Sequence, residues 1–325
     1  MSLLAGRWSD VGTMAAPELS VLVPTYNRKD ILLKTLAAYQ AQSARAEILE
    51  VLVLDDGSTD GTPEAVSQFA ARGELPVRCV RLAHGGQAAS RNHGIREAKG
   101  KLILFGDDDI LPGPNLVAEH LSWHTKYPQP CVAILGLVEW SPEVKPTPFM
   151  DWLAKEGLFE YGRLKADEEA GFGCFYSCNL SLKTGFLREN GLFDEDFKSY
   201  GFEDTELGYR LEKKGLKLLY NPRAIGYHYK FVSFRDVCRR AKVLAAARRL
   251  FEQKEAGRYL AEMQERRERM VALSVKRWLG MPLIPLAALL KPFVDTRVVL
   301  PRFIYRKIYH YFAVLPAERE ARRAS

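Results

Sequence analysis

Three consecutive aspartates follow a single apolar segment. Residues 101–109 read KLILFGDDD, so a predicted strand runs straight into Asp107, Asp108 and Asp109. Successive side chains of a strand point to opposite faces, and we therefore expect Asp107 and Asp109 to point the same way. Two carboxylates on one side suit a hard divalent cation, which prefers oxygen ligands and often bridges a protein to substrate phosphates. The sequence predicts such a cation site, with a solvated acidic turn as the alternative.

A second acidic pair opens a predicted helix. In GFEDTELGYRL, residues 201–211, Glu203 and Asp204 stand at the start of a helical pattern that continues to residue 215. Acids at a helix N-terminus stabilise it through the helix dipole. A carboxylate within reach of a hydroxyl can also act as a general base. The residues alone leave both roles open.

Three further polar stretches offer ligand contacts. In DDGSTDG, residues 55–61, the Asp56 carboxylate could accept a hydrogen bond from a base edge, although these residue types also form ordinary turns. TYNR places Tyr26 where a base could stack, and half-buried packing is the alternative. HGGQAASRNHGI, residues 84–95, sets two glycines before a helix that carries Arg91, a fork for a phosphate. Its glycine spacing matches neither the dinucleotide nor the P-loop fingerprint.

The elements between these stretches alternate regularly. Predicted strands and helices follow one another four times before residue 110, which favours a parallel sheet with helices on both faces. Such sheets bind ligands outside the carboxyl ends of their strands, where all four polar stretches fall. The predicted strands of this half are 19–24, 50–56, 77–82 and 101–109, and the helices are 30–42, 61–71 and 87–98. Later predictions are strands 131–140, 174–182 and 216–222 and helices 184–190 and 204–215.

At VPTYNR, DDGSTD, GGxxxxRNxGI and FGDDDILP the sequence resembles family-2 glycosyltransferases, the inverting enzymes of GT-A fold. The stretch from NLSLKTGF to GYHY is similar too, particularly to bacterial polysaccharide polymerases and related galactosyl or N-acetylhexosaminyl transferases. The resemblance covers roughly residues 19–230. It implies an α/β GT-A fold, a mostly parallel Rossmann-like sheet with helices on both faces. Gly106 departs from it, since many relatives carry a larger apolar residue there, which could loosen the strand end.

The resemblance also implies roles for individual residues. Asp204 would be the catalytic base, also serving as a helix cap, and Glu203 would orient the acceptor. Asp109 and His228 would ligate Mn²⁺ or Mg²⁺, although a histidine packed between two tyrosines is the alternative for His228. The nucleotide-sugar site would comprise Pro24, Thr25, Tyr26, Arg28, Asp56, Gly86, Arg91, Asp107 and Asp108.

Composition divides the chain into unlike parts. Residues 1–18 are interpreted as a disordered extension and 19–232 as the catalytic domain, with a nucleotide-binding half, 19–127, and an acceptor-binding half, 128–232. Residues 233–325 form a predicted basic helical C-terminal region with 21 Lys and Arg against 9 Asp and Glu, whereas the preceding residues have 26 against 31. The basic charge is therefore concentrated at one end.

The C-terminal region raises the question of a partner. Basic amphipathic helices with aromatic residues suit an anionic membrane surface. The alternative is packing on the catalytic domain or on a second copy, which would give a homo-oligomer. No nucleic acid is expected, because no binding module accompanies the charge. The apolar run 278–290 is shorter than the roughly 20 residues of a spanning helix and contains two prolines. Five sparse cysteines favour a reducing cytoplasm, and membrane binding would place the protein at the inner face of the membrane.

The predicted function is metal-dependent, inverting transfer of a sugar from a nucleotide diphosphate, a UDP-sugar, to a hydroxyl of a glycan or lipid-linked glycan in polysaccharide or cell-envelope synthesis. The aromatic segment 140–175 is expected to shape the acceptor site. One alternative is a catalytically silent sugar-nucleotide or glycan-binding module, which would need no base. The other is a nucleotidyltransferase, for which a glycine-rich basic loop would replace TYNRKD after the first strand.

Overall fold

The computed structural model describes residues 18–159, 161–262 and 284–323. The predicted extension, apart from residue 18, and residues 278–283 of the apolar run lie outside the described residues. The four predicted strands of the first half are confirmed as β1 (Leu19–Thr25), β2 (Ile48–Asp55), β3 (Val77–Arg81) and β4 (Leu102–Gly106). Its helices are α1 (Lys29–Gln40), α2 (Thr62–Ala70) and α3 (Gln87–Glu97).

The second half is more mixed, as its pattern predicts. Its strands are β5 (Ile110–Pro112), β6 (Val132–Trp140), β7 (Asn179–Lys183) and β8 (Lys217–His228). Its helices are α4 (Leu116–Lys126), α5 (Pro148–Trp152), α6 (Thr184–Asn190) and α7 (Glu203–Glu212). The C-terminal region contains α8 (Phe234–Gln253), α9 (Ile284–Leu290), α10 (Arg302–Tyr309) and α11 (Leu315–Arg323).

The strands form one sheet with the order β3-β2-β1-β4-β7-β6-β8-β5. β3, β2, β1 and β4 are parallel, as expected for βα units, and β6 and β8 are parallel as well. β7 is antiparallel to both β4 and β6, and β5 is antiparallel to β8. The sheet is therefore mixed, and its run of four parallel strands lies in the predicted nucleotide-binding half.

Helices cover both faces of this sheet. Leu32 of α1, Val66 of α2 and Val117 of α4 pack in one cluster with alternate residues of β1 and β2. Ile95 of α3 and Leu207 of α7 pack in a second cluster with the intervening residues. Each fully buried aliphatic side chain contributes about 1.5–3 kcal/mol relative to exposure, so burial on two faces explains why these strands are apolar throughout.

Strand bounds differ from the prediction at the functional edge. β4 ends at Gly106, so the three aspartates lie in a turn and strand alternation does not orient them. A Cβ on Gly106 would lie 2.6 Å from the Tyr39 hydroxyl, and the glycine therefore makes room for that buried ring rather than loosening the strand. β7 starts at Asn179 instead of residue 174. β8 runs on to His228, past a register shift opposite Gly136 and Leu137.

A buried hydrogen-bonded chain ties α4, which has no counterpart in the sequence prediction, to β7. The two rings lie one helical turn apart: His120 contacts Ser181 Oγ at 2.7 Å and Asn179 Oδ1 at 2.9 Å, and His124 Nε2 contacts Ser181 Oγ at 2.8 Å. Lys183 Nζ donates to His124 Nδ1 at 2.9 Å. Burial lowers the pKa of His120 to about 4, and burial together with the Lys183 charge lowers the pKa of His124 to about 2. Both rings are therefore neutral at physiological pH.

The C-terminal region packs on the catalytic domain. Val237 of α8, Ile304 and Tyr305 of α10, and Phe149 and Trp152 of α5 share one hydrophobic cluster. α8 begins with a capping box that satisfies its first amides. In the described parts of the chain no helix combines the length and apolarity that crossing a membrane requires. One side of the C-terminal region therefore packs on the catalytic domain, as the alternative to membrane binding predicted.

Candidate active site

A cavity of about 570 Å³ opens at the carboxyl ends of β1, β2 and β4. It is closed on the opposite side by the start of α7, the end of β8 and one face of α8. Every residue in the predicted site except Gly86 lines it, and Gly86 lies behind Asp56. The fold thus brings together side chains that are up to 204 positions apart in the sequence, from Pro24 to His228.

The three aspartates Asp107, Asp108 and Asp109 form ion pairs with two different arginines. Arg28 bridges Asp108 and Asp109, with Nη1 and Nη2 each 2.7 Å from one carboxylate. Asp107 instead accepts from Arg91 Nη2 at 2.8 Å. The expectation that Asp107 and Asp109 act as a pair is therefore wrong, because the residues follow a turn and not a strand. Asp108 also accepts from Thr25 Oγ1 at 2.8 Å.

The pKa values of the two carboxylates bridged by Arg28 are shifted in opposite directions. Burial raises the pKa of Asp108 to about 7, against the opposing charge of Arg28. Burial acts the same way on Asp109, but hydrogen bonds and charges from His228 and Arg28 outweigh it and hold the pKa of Asp109 well below its usual range. Asp109 is the carboxylate that stays ionised, as a cation ligand must.

A metal site can be judged from the donors that converge on Asp109. His228 Nε2 lies 3.4 Å from Asp109 Oδ2, and its ring stacks on Trp140 at 5.0 Å between centroids. Among the described residues, no group of three His, Cys, Asp or Glu side chains is arranged to hold an ion. Two protein donors nevertheless fit Mg²⁺ or Mn²⁺, which commonly take their other ligands from water and substrate phosphates. His228 is thus both stacked and directed at the cavity.

Arg91 connects the trio with the acidic pair. Its side chain is 2% exposed, and Nη1 lies 3.6 Å from Glu203 and 3.9 Å from Asp204 while Nη2 bonds Asp107. Burial would lower the pKa of Arg91, but the three carboxylates outweigh it and the net pKa is raised. This buried cation keeps three neighbouring acids in place, and removing it would leave them uncompensated.

The acidic pair begins α7 but does not cap it through Asp204. The N-cap position is Phe202, in the left-handed region at φ 68°, and the backbone N–H of Gly201 donates to the Glu203 carboxylate. Asp204 Oδ2 accepts from the backbone N–H of Ser177 at 3.0 Å, so its partner lies 27 residues away in a different segment. The predicted position of Asp204 in the first turn, where the helix dipole stabilises an acid, is confirmed, but its side chain makes no capping hydrogen bond.

This orientation leaves Asp204 available for chemistry. Its Oδ1 has no hydrogen-bond partner within the described part of the chain, and the residue lines the cavity. Burial raises the pKa of Asp204. Burial and then the Asp204 charge raise the pKa of Glu203 to about 7. A buried carboxylate with one oxygen fixed by a hydrogen bond and the other without one has the properties of a general base.

The residues predicted to bind the nucleobase line the cavity at the ends of β1 and β2. Both oxygens of Asp56 accept backbone N–H groups, from Gly85 at 2.8 Å and Gly86 at 3.0 Å. Gly86 adopts φ +89°, and a Cβ there would lie 2.4 Å from the Lys198 carbonyl oxygen, so glycine is required. Tyr26 is half exposed and stacks on His84 at 4.5 Å between centroids.

Several residues in or beside the cavity were not identified from the sequence. His84 lies beside it, in contact with both Tyr26 and Asp56, and its position in HGG after β3 was an available signal. The C-terminal region and the aromatic segment also line the cavity, through Tyr309 of α10, through Asp236, Val237, Arg239, Arg240, Ala241 and Leu244 of α8, and through Leu153, Gly157, Leu158 and Phe159. No local pattern predicts that the C-terminal region reaches this cavity.

Comparisons with known proteins agree with this architecture. Residues 20–178 match the model of glycosyl transferase family 2. The chain is 34% identical over 230 residues to validoxylamine A glucosyltransferase of Streptomyces hygroscopicus, covering 63% of this chain and 54% of that protein. It is 32% identical over 227 residues to the hyaluronan synthase of Pasteurella multocida, covering 61% of this chain and 23% of the synthase. The chain spans about half the length of the first of these relatives.

Solved structures agree on the fold. The mannosyltransferase PcManGT from Pyrobaculum calidifontis, in complex with GDP-Man and Mn²⁺, superimposes with a TM-score of 0.59 at 21% identity, covering 94% of this chain and 87% of that one. TarS 1–349 of S. aureus, in complex with UDP, gives 0.56 at 20% identity, covering 95% and 92%. Residues 20–178 thus match glycosyl transferase family 2, and the chain has the GT-A fold.

Proposed function

We propose that the chain is an inverting glycosyltransferase that moves a sugar from a nucleotide diphosphate, a UDP-sugar, to a hydroxyl of a glycan or lipid-linked glycan. The observation that carries the proposal is the position of Asp204. The Asp204 carboxylate lines one cavity with Arg28, Arg91 and the Asp109–His228 pair, and its Oδ1 accepts no hydrogen bond within the described part of the chain. A binding module has no need of a buried carboxylate oxygen that accepts no hydrogen bond, because leaving it so costs stability.

In the proposed reaction the acceptor hydroxyl attacks the anomeric carbon from the side opposite the diphosphate. Asp204 takes the proton of that hydroxyl, and the Ser177 amide holds the other carboxylate oxygen still. Arg91 keeps Asp204 and Glu203 close together, and Glu203 orients the acceptor. A divalent cation held by Asp109 and His228 would, when bound, stabilise the charge that develops on the leaving diphosphate.

The donor would lie along the carboxyl ends of β1, β2 and β4. Tyr26 offers a half-exposed ring on which a base can stack, and Asp56 is held rigid by two glycine amides. We propose a uracil base, as in the solved TarS structure with UDP, and a GDP-sugar is the competing donor because PcManGT is solved with GDP-Man. The acceptor would enter between α8 and the segment Leu153–Phe159.

A donor screen tests the proposal. The purified chain is incubated with UDP-, GDP- and dTDP-sugars in the presence of Mn²⁺ or Mg²⁺, and the released product is identified. Release of a nucleoside diphosphate supports sugar transfer, and tight binding without release would indicate a silent binding module. A parallel incubation with UTP and a sugar 1-phosphate tests the other alternative, since formation of a UDP-sugar with release of pyrophosphate would indicate a nucleotidyltransferase. UDP-sugars are expected to give the fastest release.

A further inference from the structure

The C-terminal region has an exposed apolar surface apart from the cavity. Among the described residues, ten large apolar side chains are more than about a third exposed, and six of them fall within an 18-residue stretch. We call these six residues the apolar patch: Leu286, Leu289, Phe293, Val298, Val299 and Phe303. Leu289 is 70% and Val299 76% exposed. Apolar residues scattered singly are normal on a protein surface, but this concentration indicates an interaction site.

The patch is not an unfinished part of the core. Residues that alternate with it, Ala287, Val294, Leu300 and Ile304, are at most 7% exposed and belong to the cluster that joins the C-terminal region to α5. One face of this stretch is thus already used for packing. The opposite face carries the patch and is left for a partner.

Charge identifies the kind of partner. Lys291, Arg297, Arg302, Arg306 and Lys307 lie within or beside the patch, against Asp295 alone among residues 284–307. Arg302 and Arg306 also contact Glu156, which offsets one of the five charges. Exposed apolar side chains interspersed along the sequence with exposed cations match an anionic lipid surface, which takes the apolar groups below its headgroups and attracts the basic ones.

Two other occupants fit this charge poorly. In a symmetric dimer each patch would face its own copy, bringing two sets of cations together, and like charges across an interface oppose association. The segment 263–283 contains 5 Lys and Arg against 2 Glu and is therefore also positive. Neither complements the patch as an anionic lipid surface does.

We propose that the apolar patch docks on an anionic membrane and thereby presents the cavity to a lipid-linked acceptor. The second half of this statement rests on the glycosyltransferase function proposed above. Helix α10 connects the two sites, because Phe303 belongs to the patch and Tyr309 lines the cavity. Six residues of helix span about 9 Å, so a headgroup-bound glycan is within reach of the cavity edge.

Flotation of the full chain with lipid vesicles tests the docking. Vesicles of phosphatidylcholine alone are compared with equimolar phosphatidylcholine and phosphatidylglycerol. The variant Leu289→Asp/Val299→Asp changes two side chains that contribute little to packing. A matched control, Ser67→Asp/Gln68→Asp, adds the same charge at two exposed positions of α2, which packs in a different cluster. The parent and the control should float with the anionic vesicles, and the partition coefficient of the patch variant for these vesicles should be at least about tenfold lower.

Three results would overturn the proposal: equal flotation of variant and parent, equal binding to neutral vesicles, or a dimer in solution that the patch substitutions dissociate. Release of UDP from a soluble donor is measured in parallel. It should be the same in the parent and both variants, since neither pair of positions lines the cavity. Absence of UDP release with normal flotation would refute the proposed activity and leave the membrane surface standing.

Discussion

Replacing Asp204 by Asn tests the assignment of the base most directly. The asparagine has the same shape, and its carbonyl oxygen can still accept from the Ser177 amide that now bonds Oδ2 at 3.0 Å. Arg91 keeps two of its three carboxylate partners, Asp107 and Glu203. Because burial raises the pKa of Asp204, removing this charge does not remove a stabilising one. We therefore expect the variant to fold normally.

The expected loss is in turnover. A positioned general base contributes about 10²- to 10⁴-fold to rate, and at about 1.4 kcal/mol per decade this corresponds to roughly 3–5 kcal/mol of the activation barrier. Donor binding should change little, because Tyr26, Asp56 and Asp109 are held by other groups, namely His84, two glycine amides and Arg28. The kcat for UDP release should thus fall at least a hundredfold, while calorimetric affinity for UDP with Mn²⁺ stays within about threefold.

Two further variants make the result interpretable. Glu203→Gln changes the adjacent acid, which accepts a hydrogen bond from the backbone of Gly201. It should lower kcat about tenfold or less if Glu203 only orients the acceptor. Asp196→Asn makes the same chemical change at an exposed carboxylate that pairs with Lys254, and should leave kcat within twofold.

Two outcomes would refute the reasoning. If Asp204→Asn retained more than a tenth of the parent kcat, another group must take the proton. If Glu203→Gln lost more activity than Asp204→Asn, the roles of the two acids would be reversed. A loss of UDP affinity in Asp204→Asn would instead indicate that Asp204 contributes to binding of the donor nucleotide.

Three more predictions follow from the described contacts. In calorimetry, Asp109→Ala should weaken UDP binding at least tenfold when Mn²⁺ is present and leave UDP binding without metal unchanged. An equal loss of affinity in both conditions would argue against Asp109 as a ligand of the metal. Gly86→Ala should lower the free energy of unfolding, measured by urea denaturation, by about 2–4 kcal/mol, because strain at φ +89° adds to the clash with the Lys198 carbonyl. The control Gly171→Ala, at φ +68° with no atom near the added Cβ, should lower it by only about 1 kcal/mol. His124 is neutral in the folded protein but binds a proton near pH 6.5 when the chain is unfolded, so acid lowers the free energy of unfolding. Between pH 6.5 and 4.5 the parent should lose up to about 1.4 kcal/mol of unfolding free energy per pH unit relative to His124→Gln. A difference between the two proteins that does not depend on pH would contradict this.

The nucleotide-binding half was predictable because its signals are local. Apolar runs such as LSVLVP and EVLVLD are bounded by turn residues, and their alternation with helical patterns fixes a parallel sheet. In a parallel sheet the carboxyl ends of all strands meet at one edge. The sequence by itself therefore determined that Tyr26, Asp56 and the aspartate trio share a cavity edge, and that Glu203 and Asp204 begin a helix.

Tertiary structure decided how those residues are used. The sequence could not predict that β4 would stop at Gly106, where Tyr39 packs, and this end point assigns Asp107 to Arg91 and not to Asp109. The partner of Asp204, the Ser177 amide, is a backbone group and so carries no side-chain signal. Contacts between distant segments depend on where each element ends and how it packs, and the same dependence lets one face of 284–307 join the core while the other remains exposed.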